Sequence, residues 1–247
     1  MAGREEMSRS FGAAADAYES GRPEYPREAV EWLLAPLRGE TRAIRVADVG
    51  AGTGKLTRTL VEAGAEVVAI DPDPEMLAVL RGAVHAVPTF AGTGERMPLP
   101  DASLDAVTFG QAWHWVDAQA ALEEAARVLR PGGVLGLVWN TRDERVHWVR
   151  RLTQIMHPST AETMLSEGGP EARHPFGPFE REAWDWERPM ERGAFLDMVS
   201  SRSYVLTAGA EERARILREA GDLYDEVGGG GPLSVPYRTE AFRSIRA

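Results

Sequence analysis

The sequence predicts an α/β fold: a doubly wound, mostly parallel sheet with helices on both faces. Three features carry that expectation. Short apolar runs alternate with amphipathic segments of helical period between residues 43 and 140, and the joints between them are short. In "VADVGAGTGKLTRTL", residues 46–60, glycines at every second position mark the change from apolar run to helix. Regular alternation of β and α requires crossover connections, and crossovers give parallel strands.

The elements follow in order. Pro26 opens a helix with Val30, Leu33, Leu34 and Leu37 on one face. "IRVADVG" reads as a buried strand, and residues 55–63 as a helix stopped by Gly64. "EVVAID" is a second strand, after which Asp73-Pro74 starts a helix carrying Met76, Leu77, Leu80 and Val84. "HAVPTFAG" is a third, and Pro88 places it at a sheet edge because proline donates no ladder bond. "LDAVTFG" is a fourth strand. "DAQAALEEAARVLR" is an amphipathic helix ended by Pro131-Gly132-Gly133, and "VLGLVWN" a fifth strand. Beyond these, "FEREAWDWERPM" alternates as a strand, and "ERGAFLDMVSSRSYV" and "EERARILREAGDLYDEV" read as helices. Residues 228–231 form a glycine connection, and "PLSVPYRTEAFRSIR" supplies a last strand.

Composition removes whole classes of function. The 247 residues contain no cysteine, so disulfides, thiolate metal sites and thiol catalysis are excluded. A formal charge of −10 argues against a general affinity for nucleic acid. The five histidines are scattered without metal-ligand spacing, and no apolar run approaches a membrane span. The polar start "MAGREEMSRS" has no apolar signal region. The expectation is a cytoplasmic protein with no metal, no membrane and no nucleic-acid partner.

Glycines at a strand-to-helix turn permit positive φ and close approach of a ligand, and the helix beyond presents its positive end. The spacing here is G-x-G-x-G, with Asp48 two residues before Gly50 and with Asp71 closing the next strand. A nicotinamide-dinucleotide site prefers G-x-G-x-x-G, which makes an NAD-linked oxidoreductase the weaker alternative.

The blocks "VADVGAGTGKLT", "VVAIDPDPEML", "GTGERMPLPDASLDAVT" and "ARVLRPGGVLGLVWN" fall in order, and with them the chain resembles a class I S-adenosylmethionine (SAM)-dependent methyltransferase. "AYESGRPEYP", "QAWHWVD" and "WNTRDERVHWV" are further similar to the methyltransferase type 11, trans-aconitate methyltransferase-like subgroup.

The resemblance implies a Rossmann-like, seven-stranded sheet with an antiparallel last strand, an N-terminal helical lid and C-terminal cap helices. It implies one domain over 1–247: lid and helix at 1–38, SAM-binding core at 43–140, and a substrate-shaping cap with the last strands at 141–247. Gly50, Gly52 and Gly54 would wrap SAM, with Asp48 ahead of them. Asp71 would take the ribose diol, and Pro72 and Met76 would pack on the adenine. The Thr93-Gly94-Glu95 turn would meet the adenine edge, although many relatives carry Asp where Thr93 stands. Gln111 would border the methionine end and Arg22 would clamp the cofactor carboxylate.

The acceptor would lie among Tyr18, Trp113, Trp115 and Trp139. His114 is the histidine placed for general-base work. Arg142, Arg202 and Arg238 are candidates to hold an anionic acceptor. The expected activity is methyl transfer to a small molecule, onto a carboxylate or hydroxyl oxygen, with S-adenosylhomocysteine (SAH) as product. A SAM-binding regulatory protein without turnover is the alternative from another class.

Overall fold

The computed structural model describes residues 22–39 and 42–247. Tyr18 and residues 1–21 of the expected N-terminal lid lie outside the described residues.

Seven strands form one sheet: β1 (Arg45–Val49), β2 (Glu66–Asp71), β3 (Thr89–Ala91), β4 (Leu104–Gly110), β5 (Leu129–Arg142), β6 (Glu180–Met190) and β7 (Leu233–Ile245). Their order is β3-β2-β1-β4-β5-β7-β6. The pairs from β3 to β5 are parallel, while β7 runs antiparallel to both β5 and β6. The antiparallel last strand therefore lies one place in from the edge, as the family resemblance implies. The strand containing Thr89 to Ala91 holds the opposite edge. It is shorter than "HAVPTFAG" suggests, because Pro88 contributes only its carbonyl, which accepts from Ala69 N at 2.9 Å.

The helices are α1 (Arg27–Leu34), α2 (Lys55–Glu62), α3 (Pro74–Ala83), α4 (Ala118–Val128), α5 (His147–Met156), α6 (Thr160–Ser166), α7 (Arg192–Ser200), α8 (Ser203–Thr207) and α9 (Ala210–Gly228). Alternation along the strands divides the core between two faces. Val46, Ala106, Val134 and Val138 meet α1 and α2 through Leu33, Leu56 and Leu60. Ala47, Val107, Leu135, Leu137 and Trp139 form the other face with Leu122 and Ala125 of α4. Each fully buried leucine there stabilises the fold by about 1.5–3 kcal/mol. A third apolar cluster joins α5, α7 and α9 to the start of β7 through Leu152, Phe195, Ile216, Leu223, Val235 and Tyr237.

Two boundaries differ from the sequence reading. Helix α4 ends at Val128 rather than at Pro131, and β5 begins at Leu129. Leu129 pairs with Leu104, and pairing resumes at Val134 with Ala106, so Arg130 to Gly133 bulge out of the ladder. The single helix expected over "ERGAFLDMVSSRSYV" is two, α7 and α8. Arg202 between them has extended backbone, with φ −74° and ψ 137°.

The chain order reverses between β1 and β4, which are neighbours with their continuations on opposite sides. Such a switch point opens a crevice beyond the carboxyl ends of the strands. The glycine loop follows β1, and Gly110-Gln111 follows β4, so both flank that crevice.

Candidate active site

The loop from β1 to α2 is shaped by conformations that a side chain resists. Gly50 and Gly52 have φ of +68° and +55°. A Cβ at Gly50 would stand 2.5 Å from the Ala112 Cβ, so the loop packs directly against the segment after β4. At Gly52 a Cβ would meet nothing within 4 Å, which leaves the loop's outer face open to a ligand. Gly54, also at positive φ, caps α2 and turns that helix's N-terminus toward the crevice.

Two carboxylates brace the loop. Asp71 receives Gly52 N on Oδ2 and Asp73 N on Oδ1, each at 2.8 Å. Burial raises its pKa, against the lowering effect of those two N–H groups. Asp48 is fully buried and accepts the Thr57 hydroxyl on Oδ2 at 2.6 Å, while its Oδ1 has no partner. Burial pushes its pKa up to about 7, the Thr57 hydrogen bond opposes this, and the charge of Asp71 adds to it. Asp48 lines a cavity together with Arg22, Gly50, Gly52, Lys55, Gln111 and Asn140.

Around this cavity the other cofactor candidates take different positions. Met76 is buried in α3 and Pro72 is half-buried just before it. Thr93 and Arg96 close a tight turn, with Thr93 exposed and Gly94 buried against Val116 and Phe109. The Glu95 carboxylate accepts from Asp117 N at 2.8 Å and so braces the start of α4. Gln111 has φ +55° and donates from Nε2 to the Asn140 carbonyl at 2.6 Å. Asn140 also donates from Nδ2 to Glu24 O at 3.0 Å and accepts Thr239 Oγ1 at 2.6 Å. This one residue ties the N-terminal segment, the loop after β4 and β7 together at the mouth.

A second cavity adjoins the first and shares Arg22, Gln111 and Asn140 with it. Its other walls include His114, Trp115, Thr141, Ser159, Glu162 and Arg202. The tryptophans divide between wall and core. Trp115 faces the cavity, whereas Trp139 is fully buried between Leu137 and Phe242, and Trp113 is buried edge-on against Phe109. The expectation that Trp113 and Trp139 line the pocket is thus corrected: Trp113 packs into the core from the short turn after β4, and strand alternation turns Trp139 to the same face as Leu135 and Leu137. Trp139 still acts on the cavity, because its Nε1 donates to His114 Nδ1 at 3.3 Å. A neutral His114 ring that accepts at Nδ1 carries its proton on Nε2.

Sequence reasoning alone does not single out Glu162 or Tyr237. Ser159 and Glu162 form a reciprocal capping box on α6: Glu162 N donates to Ser159 Oγ and Ser159 N to Glu162 Oε2. The other carboxylate oxygen, Oε1, takes Arg142 Nη2 at 2.8 Å. Burial would raise the Glu162 pKa, yet Arg142, Arg202 and the Ser159 bonds outweigh it and hold the carboxyl down at about 2. Arg238 lines a different cavity, which it shares with Arg142 and Glu162, and forms an exposed ion pair with Asp185 at 2.6 Å. Among the described residues no cluster of His, Asp and Glu is arranged to hold a metal ion, and no helix is long and apolar enough to cross a membrane.

Comparison with known proteins agrees with this geometry. Residues 47–137 match the methyltransferase domain family. The chain is 47% identical, over 99% of its length and 98% of the other's, to an uncharacterised methyltransferase of Mycobacterium tuberculosis. It is 32% identical, over 66% of its length and 70% of the other's, to a malonyl-[acyl-carrier protein] O-methyltransferase of Pseudescherichia vulneris. A solved structure of a candidate type II methyltransferase from Anaeromyxobacter dehalogenans superposes with a TM-score of 0.67 at 26% identity, covering 91% of this chain and 97% of that one. A chain with this loop, this sheet order and a full-length methyltransferase relative belongs to the class I SAM-dependent methyltransferases.

Proposed function

We propose that the protein transfers the methyl group of SAM to an oxygen of a small molecule, with SAM beside the glycine loop and the acceptor in the adjoining cavity. The observation that carries this reading is the pair of adjacent cavities sharing Arg22, Gln111 and Asn140. One has the backbone character of a cofactor cradle, and the other has side-chain walls.

The residues of the first cavity fit SAM. The open face of Gly52 is a cradle that a Cβ would fill. The unpartnered Asp48 Oδ1 suits an ammonium, whose charge would favour the ionised carboxylate. Asp71 offers its remaining lone pairs to the ribose diol while holding Gly52 in place. Arg22, which lines both cavities, suits the carboxylate of the methionine portion through a charge-assisted bond. Gly94, Thr93, Pro72 and Met76 stand on the adenine side, with Glu95 bracing their turn. Bound SAM supplies an electrophilic methyl on a sulfonium centre, and the electron pair of the broken C–S bond remains on sulfur.

The chain's own part is alignment and exclusion of water. A carboxylate acceptor needs no proton removed, whereas a hydroxyl must lose one. His114 suits a donor role at Nε2 better than a base role, because Trp139 already occupies Nδ1. The malonyl-[acyl-carrier protein] O-methyltransferase among the relatives transfers to oxygen, which supports an oxygen acceptor here.

Calorimetry and turnover test the reading together. SAH should bind and NAD should not, and SAH at 100 times its Kd should stabilise the fold by ~2.7 kcal/mol. Asp71→Ala should weaken SAH by roughly 1.5–3 kcal/mol. Labelled methyl should pass from SAM to a member of an alcohol and carboxylic acid panel. Failure of SAH to bind would remove the cofactor assignment, and binding without turnover on any acceptor would remove the catalytic one.

A further inference from the structure

Buried donors without acceptors gather around Glu162: Arg202 lines the second cavity with it, and Arg142 lines a neighbouring cavity that shares Thr141 and Glu162 with the second. Arg142 is buried, gives Nη2 to Glu162, and has no partner for Nε or Nη1. Arg202, 9% exposed, has no partner for Nε, and its Nη2 reaches only the Met198 sulfur at 3.9 Å. Tyr237, 1% exposed, has an unpartnered hydroxyl and interacts electrostatically with Arg202. Among the described residues four donor atoms thus lack acceptors, and the Glu162 carboxylate beside them is already engaged through both oxygens. A fold does not bury unmatched guanidinium groups without loss of stability. Burial, Arg142 and Arg22 together depress the Arg202 pKa to about 9, so the cation survives at neutral pH but is strained.

From this cluster we infer an anion-binding anchor, formed by Arg142, Arg202 and Tyr237, for a carboxylate that the acceptor carries in addition to the atom that is methylated. The inference rests on the acceptor lying in the second cavity. Charge sets the class. Two arginines against Glu162 leave one positive charge, which a monoanionic carboxylate cancels and a phosphate dianion exceeds. Arg22 lines both cavities and is reserved for the cofactor's own carboxylate. A carboxylate held by guanidinium groups has its lone pairs committed, so it anchors the molecule, and a different oxygen faces the cofactor. The planar guanidinium fork and the phenol fit two carboxylate oxygens.

The probes are glutarate and 4-hydroxybenzoate, their primary amides, and inorganic phosphate, titrated into SAH-saturated protein by calorimetry. At least one carboxylate should bind, with its amide tenfold or more weaker. Arg202→Met should weaken that carboxylate about tenfold to a hundredfold while leaving SAH affinity within about twofold. Its Tm should equal or exceed that of the wild type, because a strained buried charge is replaced by an apolar chain of similar length. Should that variant fail to fold, Tyr237→Phe removes one donor at constant shape and should weaken the carboxylate about threefold to tenfold. The anchor is overturned if neither carboxylate binds the SAH-loaded protein, if the amides bind equally, if phosphate binds more tightly, or if the folded variants bind unchanged. Failure of SAH itself to bind marks a failure of the underlying cofactor assignment instead.

Discussion

Asp48 and Glu162 are carboxylates on the two sides of one cleft, and their ionisation is pushed in opposite directions. Asp48 lies under the glycine loop, fully buried, with a hydroxyl on one oxygen and nothing on the other. Its pKa rises to about 7. Glu162 meets Arg142 and Arg202 as well as the cap of its own helix, and its pKa falls to about 2. Burial opposes charge in both, so what separates them is the supply of cations. The proposed cofactor side has a carboxylate with an unpartnered oxygen, and the proposed acceptor side has guanidinium groups with unpartnered donors. The side chains of the cleft therefore carry complementary deficits that the two proposed ligands would fill.

The largest expected effect breaks the acceptor side. Glu162→Gln leaves Arg142 and Arg202 buried without a carboxylate, while its amide oxygen can still cap α6, and should cost about 3–5 kcal/mol of stability. Urea denaturation showing a loss below 1 kcal/mol would mean that the two arginines are satisfied by other means.

Next in size, Gly52→Val should reduce SAH affinity by at least about a hundredfold, roughly 2.7 kcal/mol, because the side chain enters the open face of the loop. The stability cost should be only ~1–2 kcal/mol for the left-handed backbone at that residue. Retained SAH affinity would place the ligand elsewhere.

The third prediction separates the carboxylates by pH. Above an ordinary pKa of 3.8 the unfolded chain releases the Asp48 proton, whereas the folded chain keeps it until about 7. The folded state binds more protons in that window, so this residue's contribution to stability falls as pH rises from about 4 to 7. Relative to Asp48→Asn, the wild type should lose on the order of 3 kcal/mol across it. Glu162 has the opposite sign: its contribution is present above its ordinary pKa of 4.5 and is lost as pH falls toward 2. A wild-type to Asp48→Asn difference that stays constant with pH would show that Asp48 ionises normally in the folded protein.

The smallest effect comes from Arg238→Gln, which breaks an exposed pair with Asp185 and should change stability by under about 1 kcal/mol. Glutarate or 4-hydroxybenzoate, whichever binds, should keep its affinity. A large loss there would move the anchor outward from Arg202.

The glycine-loop side of the candidate site was legible because its information is local. Gly50, Gly52, Gly54 and Asp48 lie within one loop, and their spacing reflects backbone requirements that few other residues meet. Asp71 is one strand away and falls at a fixed place by parallel pairing. The acceptor side is built differently: Arg142, Glu162, Arg202 and Tyr237 come from four separate elements, and nothing in the sequence around any one of them reports the others. Arg142 and Arg202 could be named as candidates, but their burial follows from α6 and from the break between α7 and α8. The Ser159-to-Glu162 spacing was the readable local signal, and it announces a helix start rather than a charge cluster. Trp139 shows the converse. Its place after Leu135 and Leu137 on one strand face was visible in the alternation, yet its position at the end of the fifth strand, near the cleft, suggested a wall.

The position of β7 bears on how the chain reaches this structure. Strand β6 has only β7 as its neighbour in the sheet, although β7 follows it in the chain after α7, α8 and α9. Nothing in the sheet can receive residues 180–190 until residues 233–245 have docked on β5. Assembly should therefore proceed from the parallel half outward, with β6 waiting as an unpaired segment. Its sequence suits that interval: Glu180, Arg181, Glu182, Asp185, Glu187, Arg188 and Pro189 discourage pairing with other chains. Pulse-labelling hydrogen exchange during refolding should show β1, β4 and β5 protected before β6 and β7, which should then gain protection together.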